Sequence, residues 1–223
     1  MDYETIEKER YEYMWRSLKG TFSSDPENYR GRYARKEILD FITFLKSQNI
    51  GGTVLDVGCG NGRNSVAFAK NNFKVYGIDL STSAINLAKK NAKEEGVNIN
   101  CTVGSVFDLS YDDNSFEVLV DSGCLHHLRK SEWKSYLRNI LRVLKKDGYY
   151  FLLCFSKNSG YVPKFCPKSK NRNWTLRGMH YNHFFTIKEV KDFFGKDFDI
   201  IKNWEFGRKT DVKRFKVFYM RKQ

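Results

Sequence analysis

Thr53-Val-Leu-Asp-Val-Gly58-Cys-Gly60-Asn-Gly62-Arg-Asn64 passes from a short, β-branched, apolar segment into three closely spaced glycines. Residues 53–57 have the near-continuous hydrophobicity of a central parallel strand. Gly58, Gly60 and Gly62 permit positive φ and let the backbone approach a ligand closely. Residues 64–70 then read as helix, whose free N–H groups and dipole point into the turn. An anionic group suits that place, although a glycine-rich turn alone also fits a plain strand–helix connection.

The next unit narrows the choice. Phe73-Lys-Val-Tyr-Gly-Ile-Asp79 is a second strand ending in an acid, 21 residues after Gly58. A doubly wound sheet places there the carboxylate that grips a ribose.

Leu55-Asp-Val-Gly-Cys-Gly-Asn-Gly62 together with Gly77-Ile-Asp79 resembles the class I S-adenosylmethionine (SAM)-dependent methyltransferases. Nicotinamide dehydrogenases carry G-x-G-x-x-G; here the spacing is G-x-G-x-G, with Asp56 two places before the first glycine. The resemblance implies an α/β, Rossmann-like fold: a seven-stranded, mostly parallel sheet, helices on both faces and an antiparallel final strand. It also implies SAM as methyl donor, S-adenosylhomocysteine as product and no metal. Asp56, Gly58, Cys59, Gly60 and Gly62 would floor the methionyl part, with helix amides for its carboxylate. Asp79, followed by Leu80, would take both ribose hydroxyls. Ser105, Val106 and Phe107 would hold the adenine, where similar enzymes have Gly-Asp-Ala/Ile; Ser105 departs from that acid, and Asp108 reads as the end of the turn. Asp121 would face the methionine portion, with its carboxylate or its backbone carbonyl near the α-ammonium group. On this reading Asp79→Ala weakens SAM binding by on the order of 2 kcal/mol.

Residues 116–121 form the fourth strand and run into Ser122-Gly-Cys-Leu-His126-His127-Leu128, similar to the D-x-G-x-L-H-H-L segment of many small-molecule methyltransferases. Histidine suits proton removal at neutral pH. Adjacent side chains diverge, so His126 is the catalytic candidate and His127 the lesser one, against a structural reading in which both anchor the next helix. No Asn/Asp-Pro-Pro-Tyr/Phe follows this strand and no Pro-Cys nucleophile occurs, so the marks of nucleobase methylation are missing.

The length, 223 residues, allows one domain with a lid. Residues 1–34 read as an N-terminal lid segment, helical over residues 3–18 and broken by Gly20 and Ser23-Ser-Asp-Pro26; Trp15, Arg32 and Tyr33 are its candidate cofactor contacts. Residues 35–223 read as the methyltransferase domain. Residues 35–47 make an amphipathic helix with Ile38, Phe41, Ile42 and Leu45 on one face. Ser81 or Ser83 caps a helix closed near Gly96, and residues 97–103 make the third strand. The stripe Trp133, Tyr136, Leu137, Ile140, Leu141 and Leu144 is a packed helix. Lys146-Asp-Gly148 turns the chain into a fifth strand over residues 149–155. A last helix over Ile187, Val190, Phe193 and Phe194 precedes strands at 197–206 and 213–220, joined by a turn at 208–211.

Between them, residues 156–183 are irregular, aromatic and basic, and read as a substrate-facing insertion. His180 and His183 have pair-like spacing but no further metal ligands. Five scattered cysteines without C-x-x-C fit free thiols in a reducing cytosol, hence a cytoplasmic protein. No apolar run spans a bilayer, and no signal peptide opens the sequence. Charge is asymmetric: 15 Lys/Arg against 18 Asp/Glu in residues 1–123, then 24 against 8 in residues 124–223. A small, anionic acceptor with an O, N or S nucleophile is the leading expectation. RNA or protein is the alternative that the basic half supports. A nicotinamide oxidoreductase and a non-catalytic SAM-binding protein are the minor ones.

Overall fold

Alternation of side chains along the central strands sets the layers. In the computed structural model, which describes residues 3–17, 31–159, 174–177, 180–207 and 214–223, β1 (Thr53–Val57) lies inside a seven-stranded sheet. Its Leu55 and Val57 face one core and Val54 the other. The strands are β2 (Lys74–Asp79), β3 (Asn100–Val103), β4 (Phe116–Ser122), β5 (Leu144–Phe155), β8 (Phe198–Phe206) and β9 (Phe215–Lys222), in the order β3-β2-β1-β4-β5-β9-β8. The first five are parallel; β9 enters antiparallel between β5 and β8. Strand order therefore reverses between β1 and β4, the place where such sheets leave a crevice at their C-terminal edge.

Helix α2 (Lys36–Ser47) buries Ile38, Phe41, Ile42 and Leu45 on one face of the sheet beside α3 (Arg63–Ala69). Helices α5 (Trp133–Val143) and α6 (Ile187–Phe194) bury Tyr136, Ile140, Val190 and Phe194 on the other. Helix α4 (Thr82–Glu94) packs beside α3, β2 and β3. The N-terminal helix α1 (Tyr3–Ser17) stands outside this frame and packs on α4.

Three elements differ from the sequence reading. β3 starts at Asn100 instead of residue 97, because Gly96 (φ +69°) ends α4 and the Val97 amide donates back to Ala92. Leu144 belongs to β5 and pairs with Phe116; an irregularity follows, with Asp147 left-handed at φ +62°. The stretch 156–183 contains an antiparallel hairpin, β6 (Trp174–Arg177) with β7 (His180–His183). Its strands are two residues apart in sequence, one of them Gly178, which is a hairpin signal. The breaks at 20–26 and the turn at 208–211 lie outside the described residues.

Candidate active site

The crevice is built by three strand tips. After β1, Gly60 (φ +55°) and Gly62 (φ +72°) take conformations that other residues resist. A Cβ on Gly62 would stand 2.7 Å from the Cβ of Ala88, so the glycine lets α3 and α4 meet. A Cβ on Gly60 would stand 2.8 Å from Trp15, so here the glycine admits α1. Gly58 lies against Cys124 of the β4 tip. Cys59 turns its thiol inward toward Cys101, leaving its backbone on the loop.

Three acids predicted for the site take three different positions. Asp56 is 1 % exposed and accepts from Ser65 Oγ at 2.7 Å, tying β1 to α3. Burial pushes its carboxyl up to about 7, and the charges of Asp121 and Asp79 add to this against the Ser65 donor. Asp121 is fully buried at the end of β4. Its carboxylate accepts from the amides of Gly123 (3.0 Å), Cys124 (2.7 Å) and Leu125 (2.9 Å) and from Tyr136 Oη (2.7 Å). Those four donors fix the β4 tip and α5 to one another through this carboxylate.

Asp79 is different: it is partly exposed at the crevice. One oxygen accepts from Gly60 N and the other from Ser81 N, each at 2.9 Å. A carboxylate has about four acceptor positions, so each oxygen can take one more donor. The geometry fits a pair of vicinal ribose hydroxyls, and Leu80 follows half-buried. Burial raises the Asp79 carboxyl to about 6, with Glu12 adding and the two amides opposing.

After β3, Ser105 Oγ accepts from Phe107 N at 3.1 Å and its carbonyl from Asp108 N at 3.2 Å, a closed turn with Asp108 exposed. Val106 is buried, and the Phe107 ring leans on the core. The Ser105 side chain thus braces the turn.

Beyond β4, His126 is 4 % exposed, stacks on Phe155 at 3.9 Å, and places Nε2 3.0 Å from Nε2 of His127. The His127 Nδ1 lies 3.4 Å from the Tyr181 carbonyl of β7. A carbonyl only accepts, so that nitrogen carries the proton in this contact.

Helix α1 packs on α4 and on the glycine loop. Trp15, 8 % exposed, packs on Ala84 and Leu87 as well as Gly60. Glu12 accepts from Ser81 Oγ (2.7 Å), Ser83 N (3.0 Å) and Ser83 Oγ. Burial raises its carboxyl, but the Ser83 and Ser81 donors outweigh that and hold it below the usual range. Of the other lid candidates, Arg32 pairs with Glu94 and Glu95 at the C-terminal end of α4, and Tyr33 is 61 % exposed. Glu12 was not legible in the sequence, since its partners lie 69 and 71 residues away. Glu12→Ala is expected to cost about 1 kcal/mol, as the loss of a helix cap does, and to speed tryptic cleavage at Arg10 and Arg16; an unchanged cleavage rate would count against the latch.

Among the described residues no cluster of His, Cys, Asp and Glu is placed to hold a metal ion, and no helix is long and apolar enough to cross a membrane.

Known proteins carry the same frame. A methyltransferase domain family matches residues 54–148, from β1 through the β4 tip and α5 to the start of β5. An uncharacterized methyltransferase of Schizosaccharomyces pombe is 31 % identical over 133 residues, 60 % of this chain and 86 % of that protein. A tRNA N(3)-methylcytidine methyltransferase of the same yeast is 26 % identical over 209 residues, 86 % of this chain and 67 % of the other. A solved SAM-dependent methyltransferase from Methanosarcina mazei superposes with a TM-score of 0.62 at 26 % identity, covering 76 % of this chain and 92 % of that one. The family match spans the glycine loop and Asp79, and the protein accordingly belongs to the class I SAM-dependent methyltransferase family.

Proposed function

We propose that this enzyme transfers the methyl group of SAM to an oxygen, nitrogen or sulfur nucleophile of a small, anionic acceptor. The observation that carries the cofactor half is Asp79: it alone of the three core carboxylates opens on the crevice, and it braces the loop that would lie under the methionyl part. Bound SAM supplies a methyl group on a sulfonium leaving group. Asp79 accepts the ribose hydroxyls; the loop backbone at Gly58, Cys59, Gly60 and Gly62 receives the methionyl part; Val106 and Phe107 cover the adenine. Asp56 and Asp121 serve from behind, holding α3 and the β4 tip in place. Residues 1–34 act as the lid over this site, and the hairpin with its flanking residues in 156–183 faces the acceptor.

His126 is the proton acceptor for nucleophiles that need one. If the Nδ1 of His127 is protonated toward Tyr181, its Nε2 is a lone pair, and His126 Nε2–H donates to it. His126 Nδ1 is then the basic nitrogen, and the imidazolium formed there keeps its hydrogen bond to His127. The side chains must hold donor and acceptor about 3–3.5 Å apart and in line, with water excluded.

RNA is the second reading, favoured by the basic C-terminal half and by the tRNA-modifying relative that matches 86 % of this sequence. Two measurements test the proposal. In a thermal-shift screen, SAM and S-adenosylhomocysteine raise the midpoint and NAD(P) does not; the reverse result would end the cofactor assignment. Transfer of labelled methyl to pools of small acids, amines and thiols that is insensitive to salt supports the first reading. Labelling of RNA that collapses between about 50 and 200 mM salt selects the second.

A further inference from the structure

Glu205 on β8 and Lys216 on β9 are cross-strand partners, and the Lys216 ammonium, 5 % exposed, donates to the Glu205 carboxylate at 2.5 Å. Arg214, the residue before β9, places Nη2 2.6 Å from the other oxygen. Ser156 Oγ (2.6 Å) and Asn158 Nδ2 (3.0 Å) also donate to this carboxylate. Burial raises the Glu205 carboxyl, but the Lys216 and Ser156 donors and the charges of Lys216 and Arg214 outweigh that and hold it below the usual range. One acid thus serves two cations, and the set keeps an excess positive charge. Arg214 is also incompletely satisfied. Its Nε is shielded from solvent and makes no hydrogen bond among the described residues, while the side chain as a whole is 23 % exposed. Most buried polar groups in native proteins have a partner, so Glu205 fixes one corner of this guanidinium and leaves the rest to another acceptor.

The cluster stands at the root of the 156–183 insertion. Ser156 and Asn158 open that stretch, and Ser156 bridges Phe185 just past its end. Phe155, the last residue of β5, stacks on His126 with centroids 3.9 Å apart and on Phe215 at 5.3 Å. Phe215 stands between Arg214 and Lys216 in the sequence, so two ring contacts lead from His126 to the cations. A fixed excess of positive charge at such a place attracts an anion, and a guanidinium holds an oxyanion by charge-assisted hydrogen bonds. We propose that Arg214, backed by the buried charge of Lys216, binds the carboxylate or phosphate group of the methyl acceptor and so turns the acceptor's nucleophile toward His126. The inference rests on the methyl-transfer reading above and supplies the residues that recognise the acceptor's charge.

The test titrates the protein, loaded with S-adenosylhomocysteine, with benzoate, phenyl phosphate and benzamide by calorimetry at fixed ionic strength. Benzamide keeps the ring and loses the charge, and the tighter of the two anions tells a carboxylate site from a phosphate site. Wild type should bind that anion at least about tenfold more tightly than benzamide, as befits hydrogen bonds to a charged group. Arg214→Gln should lose about tenfold for the anion and nothing for benzamide, with S-adenosylhomocysteine affinity unchanged as the control for the fold. Glu205→Gln keeps the shape and removes the negative charge, so it should tighten anion binding about threefold; an ion cluster that only braces the strands would give no such gain. Anions bound no better than benzamide, an Arg214→Gln variant indifferent to the anion, or a Glu205→Gln variant without the gain would each overturn the assignment. Wild type that binds S-adenosylhomocysteine but neither anion overturns only this inference, whereas wild type that does not bind S-adenosylhomocysteine overturns the methyl-transfer reading as well.

Discussion

Asp79→Ala is expected to weaken SAM binding by about 3 kcal/mol, roughly 150-fold in Kd, more than the loss of ribose contacts alone. The carboxylate is also the clamp between two loops, accepting from Gly60 N and Ser81 N at 2.9 Å each. Removing it strips the ribose of its acceptor and lets the glycine loop move. Asp79→Asn keeps the shape but offers one oxygen in place of two and turns an NH2 toward a backbone donor, so it should fall between wild type and alanine. pH gives an independent check. Burial places this carboxyl at about 6, and the ribose needs the ionised form as acceptor. SAM affinity should therefore decline as pH falls through 6, with proton release on binding near that pH, and both effects should vanish in Asp79→Asn. Calorimetry in buffers of different ionisation enthalpy measures both; a Kd indifferent to Asp79→Ala would remove the ribose role.

Asp121→Ala is expected to be the most damaging single change to the fold, lowering stability by about 3–5 kcal/mol. It would leave three amides and the Tyr136 hydroxyl without their common acceptor in a place solvent does not reach. Domains of this kind are stable by about 5–15 kcal/mol in all, so poor soluble yield at 37 °C is the expected phenotype. Tyr136→Phe removes only one of the four donors and should cost about 1–2 kcal/mol. Urea unfolding measures both, and a change below 1 kcal/mol in Asp121→Ala would contradict the buried-hub description.

The same burial sets the pH dependence of stability. Asp121 and Asp79 at about 6 and Asp56 at about 7 all lie above the unfolded carboxylate value, so the native state holds these protons more tightly. Their contribution to stability grows as pH falls from 8 toward 5. Glu117, at about 2 through Lys145 and Thr53 despite burial, and Glu205 and Glu189, also held low, act the other way. Their contribution is lost as pH falls below about 4.5. Unfolding midpoints should therefore peak on the acid side of neutrality.

The element pattern was open to sequence reasoning because it rests on local chemistry. β-branched runs, three glycines at fixed spacing, the Ser81 cap and the apolar faces of α2, α5 and α6 all follow from neighbours a few residues apart. Boundaries slipped where a distant or unseen partner decided them. Leu144 shares the spacing of the α5 stripe, yet pairs with Phe116 across the sheet. The β6–β7 hairpin was hidden because basic and aromatic residues masked a two-residue connection.

From the sequence alone came the parallel sheet, the glycine loop, the acid at the end of β2 and the family they belong to, since each is written in short-range spacing. Tertiary structure alone decided which of three similar acids meets the crevice. Asp56, Asp79 and Asp121 all sit at strand ends, but their surroundings bury two of the carboxylates behind the loops and leave the third open. It alone also brought Tyr11, Glu12 and Trp15 of α1 onto loops 45 to 116 residues away in sequence. Such contacts depend on how packed layers meet in space, which no spacing along one segment can express.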